Sequence, residues 1–167
     1  MKKILSLTLA LAMIGSILTG CGSKDAATQT PAENTQQTAP VQQEQSQTEK
    51  ALALINTFAT GDTDTARSLL ADGYIQHNLA YGTGADAFIG SVEYLASADV
   101  KTTVNNIRAF EDGDKVFLQT IYNFAGAGEQ VAFDIFRFDE NGKIAEHWDV
   151  METIADQSTW QNQNGKF

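Results

Sequence analysis

The sequence VAFDIFRFDENGKIAEHWDVM, residues 131–151, decides the fold and contains most of the residues that could carry chemistry. Its first eight residues are rich in aromatic and β-branched side chains, which favour strands, and its last nine alternate between two faces. Between them, Asn141-Gly142 favours a two-residue hairpin turn, in which both central residues need a positive φ. The stretch therefore predicts two antiparallel strands joined by a tight turn.

The predicted hairpin brings polar side chains onto one apolar face. Successive side chains of a strand point to opposite faces, so the turn decides which residues pair. A two-residue turn pairs Arg137 with Glu146, a favourable cross-strand charge pair, and it pairs Asp134 with Asp149. Besides both aspartates, this face carries Ala132, Phe136, Phe138, Lys143, Ala145, His147 and Met151.

Other readings of this face remain open. A four-residue turn would place Asp134 opposite His147 and keep the faces, whereas a three-residue turn would bring Trp148 round and weaken the case for a site. Both aspartates could also be ordinary polar residues on a solvent-facing sheet. If the face is covered, burial and mutual repulsion favour the neutral acid. One aspartate is then expected to titrate nearer neutrality, as general acid–base catalysis requires.

The opposite face of the hairpin is also apolar. It carries Val131, Phe133, Ile135, Arg137, Ile144, Glu146, Trp148 and Val150. We expect a sheet with two apolar faces to be covered on both sides, because large exposed apolar patches usually mark interaction surfaces. The sequence therefore predicts a homodimer that pairs two copies of this face, chiefly through Phe133, Ile135, Trp148 and Val150.

The rest of the domain is predicted to form helices first and strands afterwards. The predicted helices are 48–60, 63–72 and 85–96, and the predicted strands are 100–110 and 115–124, ahead of the hairpin. Residues 74–78 are predicted to be extended or irregular. This order indicates the α+β class, with the helices packed on one face of an antiparallel sheet.

The first 20 residues are typical of a targeting segment. Lys2 and Lys3 precede an apolar run, residues 4–18, that is too short for a good membrane-spanning helix. The next residues, LTG before Cys21, resemble the cleavage site of bacterial lipoproteins. That resemblance implies cleavage before Cys21 and acylation of its thiol and amino group, and two or more acyl chains anchor a protein stably. On the alternative interpretation the leader is a plain secretory peptide and Cys21 stays unmodified.

Residues 21–47 predict a disordered tether, because they are polar and contain too few apolar residues to offset the entropy of ordering. Residues 48–167 then form one domain. Cys21 is the only cysteine, so the chain has no internal disulfide. Removal of residues 1–20, which carry two lysines and no acid, changes the net charge from −10 to −12. Such acidity disfavours nucleic acid as a partner, so we expect an extracytoplasmic domain held to a bacterial membrane by its lipid.

Three segments of the domain resemble the SnoaL-like polyketide cyclase family of the nuclear-transport-factor-2-like superfamily. They are YIQHN at 74–78, FDIFRF at 133–138 and GKIAEHWDV at 142–150. The resemblance implies a cone in which three N-terminal helices pack on a curved antiparallel sheet around a hydrophobic pocket. In that family a carboxylate and a neighbouring histidine transfer protons in an intramolecular aldol cyclisation, without metal or organic cofactor.

The resemblance also implies where the site lies in this chain. The matching residues are Asp149 and His147 on the last strand, with Asp134 across from them and His77 at the pocket wall. Candidate ligand-contacting residues are Phe136, Tyr122, Met151 and Tyr74. The four acidic and imidazole groups could in principle hold a metal, but such residues are more often hydrogen-bonded than ligating, and no metal or cofactor is predicted.

Two functions follow from this site. The first is a membrane-tethered domain that binds a small apolar ligand in a conical pocket. The alternative is a cofactor-free acid–base enzyme, of the aldol cyclase or isomerase type, that acts on a small carbonyl compound. Asp149 or Asp134 would then abstract a proton next to the carbonyl, and His147 or His77 would polarise or reprotonate its oxygen.

Overall fold

A computed structural model describes residues 44–167 of the chain. The predicted leader, the lipidation site Cys21 and nearly all of the predicted tether lie outside the described residues. Along residues 44–167, no helix is both long enough and apolar enough to cross a membrane.

Three helices precede most of the sheet: α1 at Gln47–Thr60, α2 at Thr63–Leu69 and α3 at Ala85–Ser97. Ser46 begins α1 with a capping box, in which its side chain accepts from the Glu49 N–H and the Glu49 carboxylate accepts from the Ser46 N–H. Gly61 ends α1 in the left-handed conformation, with φ 74°, and a Cβ there would lie 2.8 Å from the Ala96 Cβ. Glycine is therefore needed both for the turn and for the approach of α3.

Five strands form one sheet: β1 at Leu70–Gln76, β2 at Thr103–Asp112, β3 at Lys115–Asn123, β4 at Gln130–Phe138 and β5 at Ile144–Thr153. Their order is β1-β5-β4-β3-β2. The last four strands form the predicted antiparallel meander, and β1 lies parallel to β5 at one edge. The α+β class, with three helices packed on the sheet, is confirmed.

The prediction was wrong about the end of the second helix. The helix stops at Leu69, and the residues predicted to complete it belong to β1, which continues to Gln76 within the segment predicted to be extended or irregular. The register of β1 against β5 shifts between Leu70 and Ile75, so the strand is interrupted by a bulge. Because of that interruption, this part of the sequence lacks the clean two-residue period by which a strand is recognised.

The pairing of β4 with β5 agrees with prediction, although the turn does not. Asp134 lies opposite Asp149, but Gly142 is the one residue of the predicted two-residue turn with a positive φ, 68°. Asp139 N–H donates to the Lys143 carbonyl and Gly142 N–H donates to the Asp139 carbonyl, which closes a three-residue loop.

That loop alone would have shifted the pairing by one residue. The shift would bring Trp148 opposite Asp134, as expected for a three-residue turn. However, the pairs Phe138–Ile144 and Arg137–Glu146 leave Ala145 as an extra residue in β5. This bulge restores the predicted pairing and keeps both aspartates on the same face.

The core lies between the helices and the inner face of the sheet, the face that carries Asp134 and His147. Its fully buried members include Leu54, Val92, Val116, Leu118, Phe136 and Ile144. The outer face is covered only in part by the described chain. The buried Gln119 side chain donates to the Lys166 carbonyl at 2.7 Å, whereas Phe133 and Val150, which follow it in the same row across the sheet, are 55% and 73% exposed.

Candidate functional site

A cavity of about 660 Å³ lies between α1, α3 and the inner face of the sheet. Its wall is rich in aromatic side chains, namely Phe58, Tyr74, Tyr81, Phe88, Tyr94, Tyr122, Phe124 and Phe136. The acidic residues at its wall are Asp134 and Asp149, and within the described chain no lysine or arginine lines it. The cavity is therefore apolar at its sides and acidic at one place on the sheet.

Asp134, His147 and Asp149 form the polar part of the cavity. His147 Nε2 lies 3.2 Å from Asp134 Oδ1 and 4.0 Å from Asp149 Oδ2. The imidazole stacks on the Phe136 ring with centroids 4.4 Å apart and planes 8° apart. Because Phe136 is completely buried, this stack leaves the His147 ring little room to rotate.

Asp134 is the more enclosed of the two aspartates. It is 3% exposed, and Tyr122 O–H donates to its Oδ2 at 3.0 Å. Burial, followed by the negative charge of Asp134, raises the pKa of Tyr122 well above its ordinary value, so the phenol stays protonated and donates. With Tyr122 and His147 on its two oxygens, Asp134 acts as an acceptor that orients its neighbours.

Asp149 is the carboxyl group whose pKa is shifted toward neutrality. Burial is the main cause of its raised pKa, and the charge of Asp134 adds to it, while His147 and the hydrogen bond from Asn78 oppose it. Asn78 Nδ2 donates to Oδ1 at 2.6 Å. A partly desolvated carboxyl of this kind can take up and release a proton more readily near neutral pH than an exposed aspartate can.

The edge strand β1 and the residues after it supply amides and a phenol to the same site. Gln76 Nε2 lies 3.0 Å from His147 Nδ1 and 3.3 Å from the Tyr74 hydroxyl, and Gln76 Oε1 accepts from the Asn78 backbone N–H at 2.9 Å. Burial is the main cause of the raised pKa of Tyr74, and the charges of Asp149 and Asp134 add to it, so this phenol also stays protonated. Thus Gln76 of β1 holds the His147 ring, and Asn78, just after β1, holds the Asp149 carboxyl group.

The sequence reasoning placed His77 at the pocket wall, and the structure corrects this. Gln76 pairs with His147 on the inner face, so the next residue, His77, points to the outer face. There its Nε2 lies 2.9 Å from Glu146 Oε2, and its ring stacks on Trp148 at 4.3 Å. The structure therefore brings Asp134, His147 and Asp149 together and leaves His77 out.

Gln76 and Asn78 were missed by sequence reasoning, although a signal for them exists. Tyr74, Gln76 and Asn78 are alternate residues of the segment 74–78. If this segment is extended like a strand, all three side chains point to the same face. The four candidate ligand-contacting residues Phe136, Tyr122, Met151 and Tyr74 all line the cavity. The aromatic residues that α1, α3 and the neighbouring loops contribute were not predicted to contact a ligand. The spacing of Phe58 and Phe88 is also that of an ordinary core.

The same three groups bear on metal binding. One ligand atom from each of Asp134, His147 and Asp149 lies within 4.8 Å of the others. Two carboxylates and an imidazole are a donor set that divalent transition metals accept, provided that the imidazole nitrogen facing the carboxylates has a free lone pair.

Comparison with known sequences identifies the family. The sequence profile of the SnoaL-like domain matches residues 51–147. The chain belongs to the SnoaL-like family. No curated protein sequence matches it significantly.

Solved structures support the same fold. An NTF2-like protein of unknown function from Cytophaga hutchinsonii has a TM-score of 0.57 at 16% identity, over 66% of this chain and 94% of that one. An LEH-like epoxide hydrolase from M. tuberculosis has a TM-score of 0.56 at 18% identity, over 64% and 82%. IdmH, a putative polyketide cyclase from Streptomyces antibioticus, has a TM-score of 0.52 at 18% identity, over 65% and 93%. These likenesses confirm the predicted nuclear-transport-factor-2-like fold.

Proposed function

We propose that this SnoaL-like domain binds a small, mainly apolar carbonyl compound in its cavity and transfers protons on it. The observation that carries this proposal is Asp149, a carboxyl group with a raised pKa in the wall of an aromatic cavity. Asn78 holds one of its oxygens, so Oδ2 is the oxygen available to a ligand. Fold alone does not indicate this chemistry, because folds of this kind host many functions.

The charge of the site restricts the ligand. Two carboxyl groups and, among the described residues, no lysine or arginine line the cavity, so a carboxylate or phosphate on the ligand would be repelled. An uncharged molecule with one or two oxygens fits the aromatic wall and the polar cluster. Similar structures include proteins named as a putative polyketide cyclase and an LEH-like epoxide hydrolase, and the fold is therefore compatible with an enzyme.

The proposed step is proton transfer next to a carbonyl group. The C–H bond breaks, its proton goes to Asp149 Oδ2, and its electron pair forms an enolate. Tyr74 accepts from Gln76 Nε2, so its own O–H is free to donate to the enolate oxygen. After exchange with solvent, Asp149 returns a proton to the same carbon. If the enolate carbon instead attacks a second carbonyl group, a new C–C bond forms there, and Asp149 returns its proton to the resulting alkoxide oxygen.

Exchange of hydrogen for deuterium on a ketone tests this step without knowledge of the natural substrate. We suggest 2-tetralone, an apolar ketone with acidic neighbouring hydrogens, incubated in D₂O with the chain from residue 22 onward and followed by proton NMR. This chain contains all of residues 44–167, within which the core is complete. Asp149→Asn is expected to lower the exchange rate by about 10²- to 10⁴-fold, whereas the exposed Asp112→Asn serves as the matched control.

The same experiment separates catalysis from binding alone. Ligand-induced changes in the spectrum of the protein, without exchange above the buffer rate, would show a binding domain and overturn the catalytic proposal. Exchange that persists in Asp149→Asn would also overturn it, because another group would then be the base.

We also propose that the domain is lipid-anchored outside the cytoplasm through Cys21. The support is the sequence of residues 1–21, with its charged start, apolar run and LTG-Cys end. In a bacterial host, the full chain is expected to sediment with membranes and to incorporate labelled palmitate, and Cys21→Ala should lose the label. A soluble, unlabelled wild-type chain would contradict the anchor.

The exposed part of the outer face supports a further proposal, that two copies of the domain pair through it. Phe110, Phe117, Phe133, Val150 and Ile75 are all at least 40% exposed there. A second copy would present the same apolar patch, as a two-fold interface requires. The expected species in solution is a homodimer.

A further inference from the structure

The side-chain amide of Gln76 lies at the centre of a hydrogen-bonded chain with a fixed direction. The Asn78 backbone N–H, which can only donate, lies 2.9 Å from one end of this amide, so that end must be the oxygen. The other end, Nε2, then lies 3.0 Å from His147 Nδ1. The hydrogen bond from the Asn78 backbone N–H therefore fixes the orientation of the Gln76 side-chain amide.

The direction of this chain decides the state of the His147 ring. An amide nitrogen only donates, so Nδ1 must accept, and the neutral ring carries its proton on Nε2. From there it donates to Asp134 Oδ1 at 3.2 Å. We propose that Gln76 is a positioning residue that holds His147 in the Nε2–H tautomer, through an amide oriented by the Asn78 main chain. The proposal rests on the proposed function of the site.

The tautomer assigns roles within the site. With its proton on Nε2, His147 has no lone pair facing the carboxylates, so it acts there as a donor rather than as a base. The lone pair is on Nδ1 and is occupied by Gln76. Asp149 is then the remaining base at the cavity wall, and a metal between Asp134, His147 and Asp149 would first have to displace the Nε2 proton.

The opposite tautomer conflicts with the main chain. A proton on Nδ1 would need the Gln76 oxygen in front of it, which requires the amide to rotate by half a turn. Gln76 Nε2 would then face the Asn78 backbone N–H. Two donors would lie about 2.9 Å apart, where Gln76 Oε1 now accepts from Asn78, and the hydrogen bond would be lost. The Tyr74 hydroxyl, 3.3 Å from Nε2, would face the Gln76 oxygen instead.

Nitrogen NMR of histidine-labelled protein tests this directly. The chain has two histidines, so His77→Gln leaves the signals of His147 alone in the spectrum. In this His77→Gln variant, which keeps Gln76, long-range proton–nitrogen correlations are expected to show that Nδ1 of His147 is unprotonated and Nε2 is protonated. A protonated Nδ1 in this protein would overturn the proposal, and this measurement needs no further variant to fold.

Gln76→Glu sharpens the test, because a carboxylate accepts where the amide donates. Nδ1 is expected to gain a proton in this variant, whereas the exposed Gln163→Glu should leave the ring unchanged. If Gln76 merely packed, its replacement by the isosteric glutamate would not move the proton, and that result would refute the role.

Tetralone exchange then connects the tautomer with activity. Gln76→Glu is expected to lower kcat by roughly a hundredfold, because the His147 ring then carries its proton on Nδ1. The KM should change little, because the cavity is intact. If the wild type shows the Nε2–H tautomer but does not exchange the hydrogens of tetralone, the catalytic proposal is contradicted, whereas the tautomer inference is supported. The expected shift of the proton with unchanged kcat would show that the tautomer does not matter for the reaction.

Discussion

The two histidines of the chain, His77 just after β1 and His147 on β5, lie beside each other and have almost the same kinds of partner. The His77 N–H donates to the His147 carbonyl at 2.9 Å. Each imidazole places Nε2 near a carboxylate, at 2.9 Å for Glu146 and 3.2 Å for Asp134. Each ring also stacks on an aromatic side chain, with centroids 4.3 and 4.4 Å apart.

What separates them is the face of the sheet. The His77 side chain is 36% exposed and its partner Glu146 also binds Arg137, so that pair belongs to a solvated ionic cluster. The His147 side chain is 9% exposed and lies in a cavity wall to which no lysine or arginine of residues 44–167 contributes. The same imidazole–carboxylate pair is therefore a surface contact in one place and a candidate catalytic group in the other. Strand alternation alone decides which.

Removal of the aromatic ring that stacks on each histidine should lower the stability of the fold by very different amounts for His147 and His77. Phe136→Ala removes a fully buried ring and is expected to lower the free energy of unfolding by about 3–5 kcal/mol. Trp148→Ala removes a partly exposed ring and should lower it by about 1 kcal/mol. Urea unfolding of both variants measures the difference. Equal losses would mean that the outer stack is as well packed as the inner one.

Loss of the imidazole itself should separate the pairs by activity. His147→Gln removes the ring that donates to Asp134 beside the base, and we expect tetralone exchange to fall by roughly 10²-fold. His77→Gln, on the other face, should leave the exchange rate within a factor of about two of the wild type, because its pair is a surface contact. A comparable fall in both variants would indicate that the outer cluster reaches the cavity.

The sequence predicted the inner pair and misplaced His77 of the outer pair, and the regularity of the strands that carry them explains both outcomes. The faces and register of β4 and β5 were predictable up to the pair Arg137–Glu146, since alternation is regular there and these two charges specify the pairing. Ile144, predicted on the outer face, lies instead opposite Phe138 in the core, because the bulge at Ala145 changes its face. The bulged β1 has no regular period, so the orientation of His77 and the contributions of Gln76 and Asn78 could not be recognised.

The turn between β4 and β5 shows how a correct register can follow from incomplete reasoning. The loop has three residues, which would have moved Trp148 to the cavity, and the bulge at Ala145 cancels that shift. Two compensating irregularities are invisible to a pattern that counts alternate residues. The cavity volume and the aromatic wall from α1 and α3 depend on how the layers pack, which no short stretch of sequence specifies.

A charged substitution on the outer face should weaken the proposed dimer without affecting the cavity. Val150→Lys places a cation on the exposed apolar patch, and a two-fold dimer would bring two such cations together. We expect the dimer dissociation constant to rise by roughly a hundredfold or more in sedimentation experiments, with unchanged tetralone exchange. Leu79→Lys, at a fully exposed residue of the loop that follows β1, is the control. A wild-type chain that is monomeric at micromolar concentration would contradict the dimer.

The smallest expected effect, and the one that distinguishes the faces by sign, is the pH dependence of stability. The hydrogen bond from His77, then that from Arg137, lowers the pKa of Glu146 below 4.5. A lowered folded pKa stabilises the fold above the unfolded value, and this contribution is lost as the pH falls through the folded pKa. Glu146→Gln is therefore expected to lower the free energy of unfolding near neutral pH by about 0.2–1 kcal/mol, with the difference vanishing in acid.

Asp149 should behave in the opposite way. Its pKa is raised above 3.8, chiefly by burial, so the folded state binds more protons than the unfolded state between the two pKa values. Wild-type stability should fall as the pH rises through this window, and Asp149→Asn, which has no charge to bury, should gain relative to wild type over the same window. Urea unfolding at several pH values from about 3 to 7 measures both differences. If the Asp149→Asn difference followed the Glu146→Gln difference in sign, Asp149 would be solvated like an outer-face carboxylate and could not be the desolvated base of the cavity.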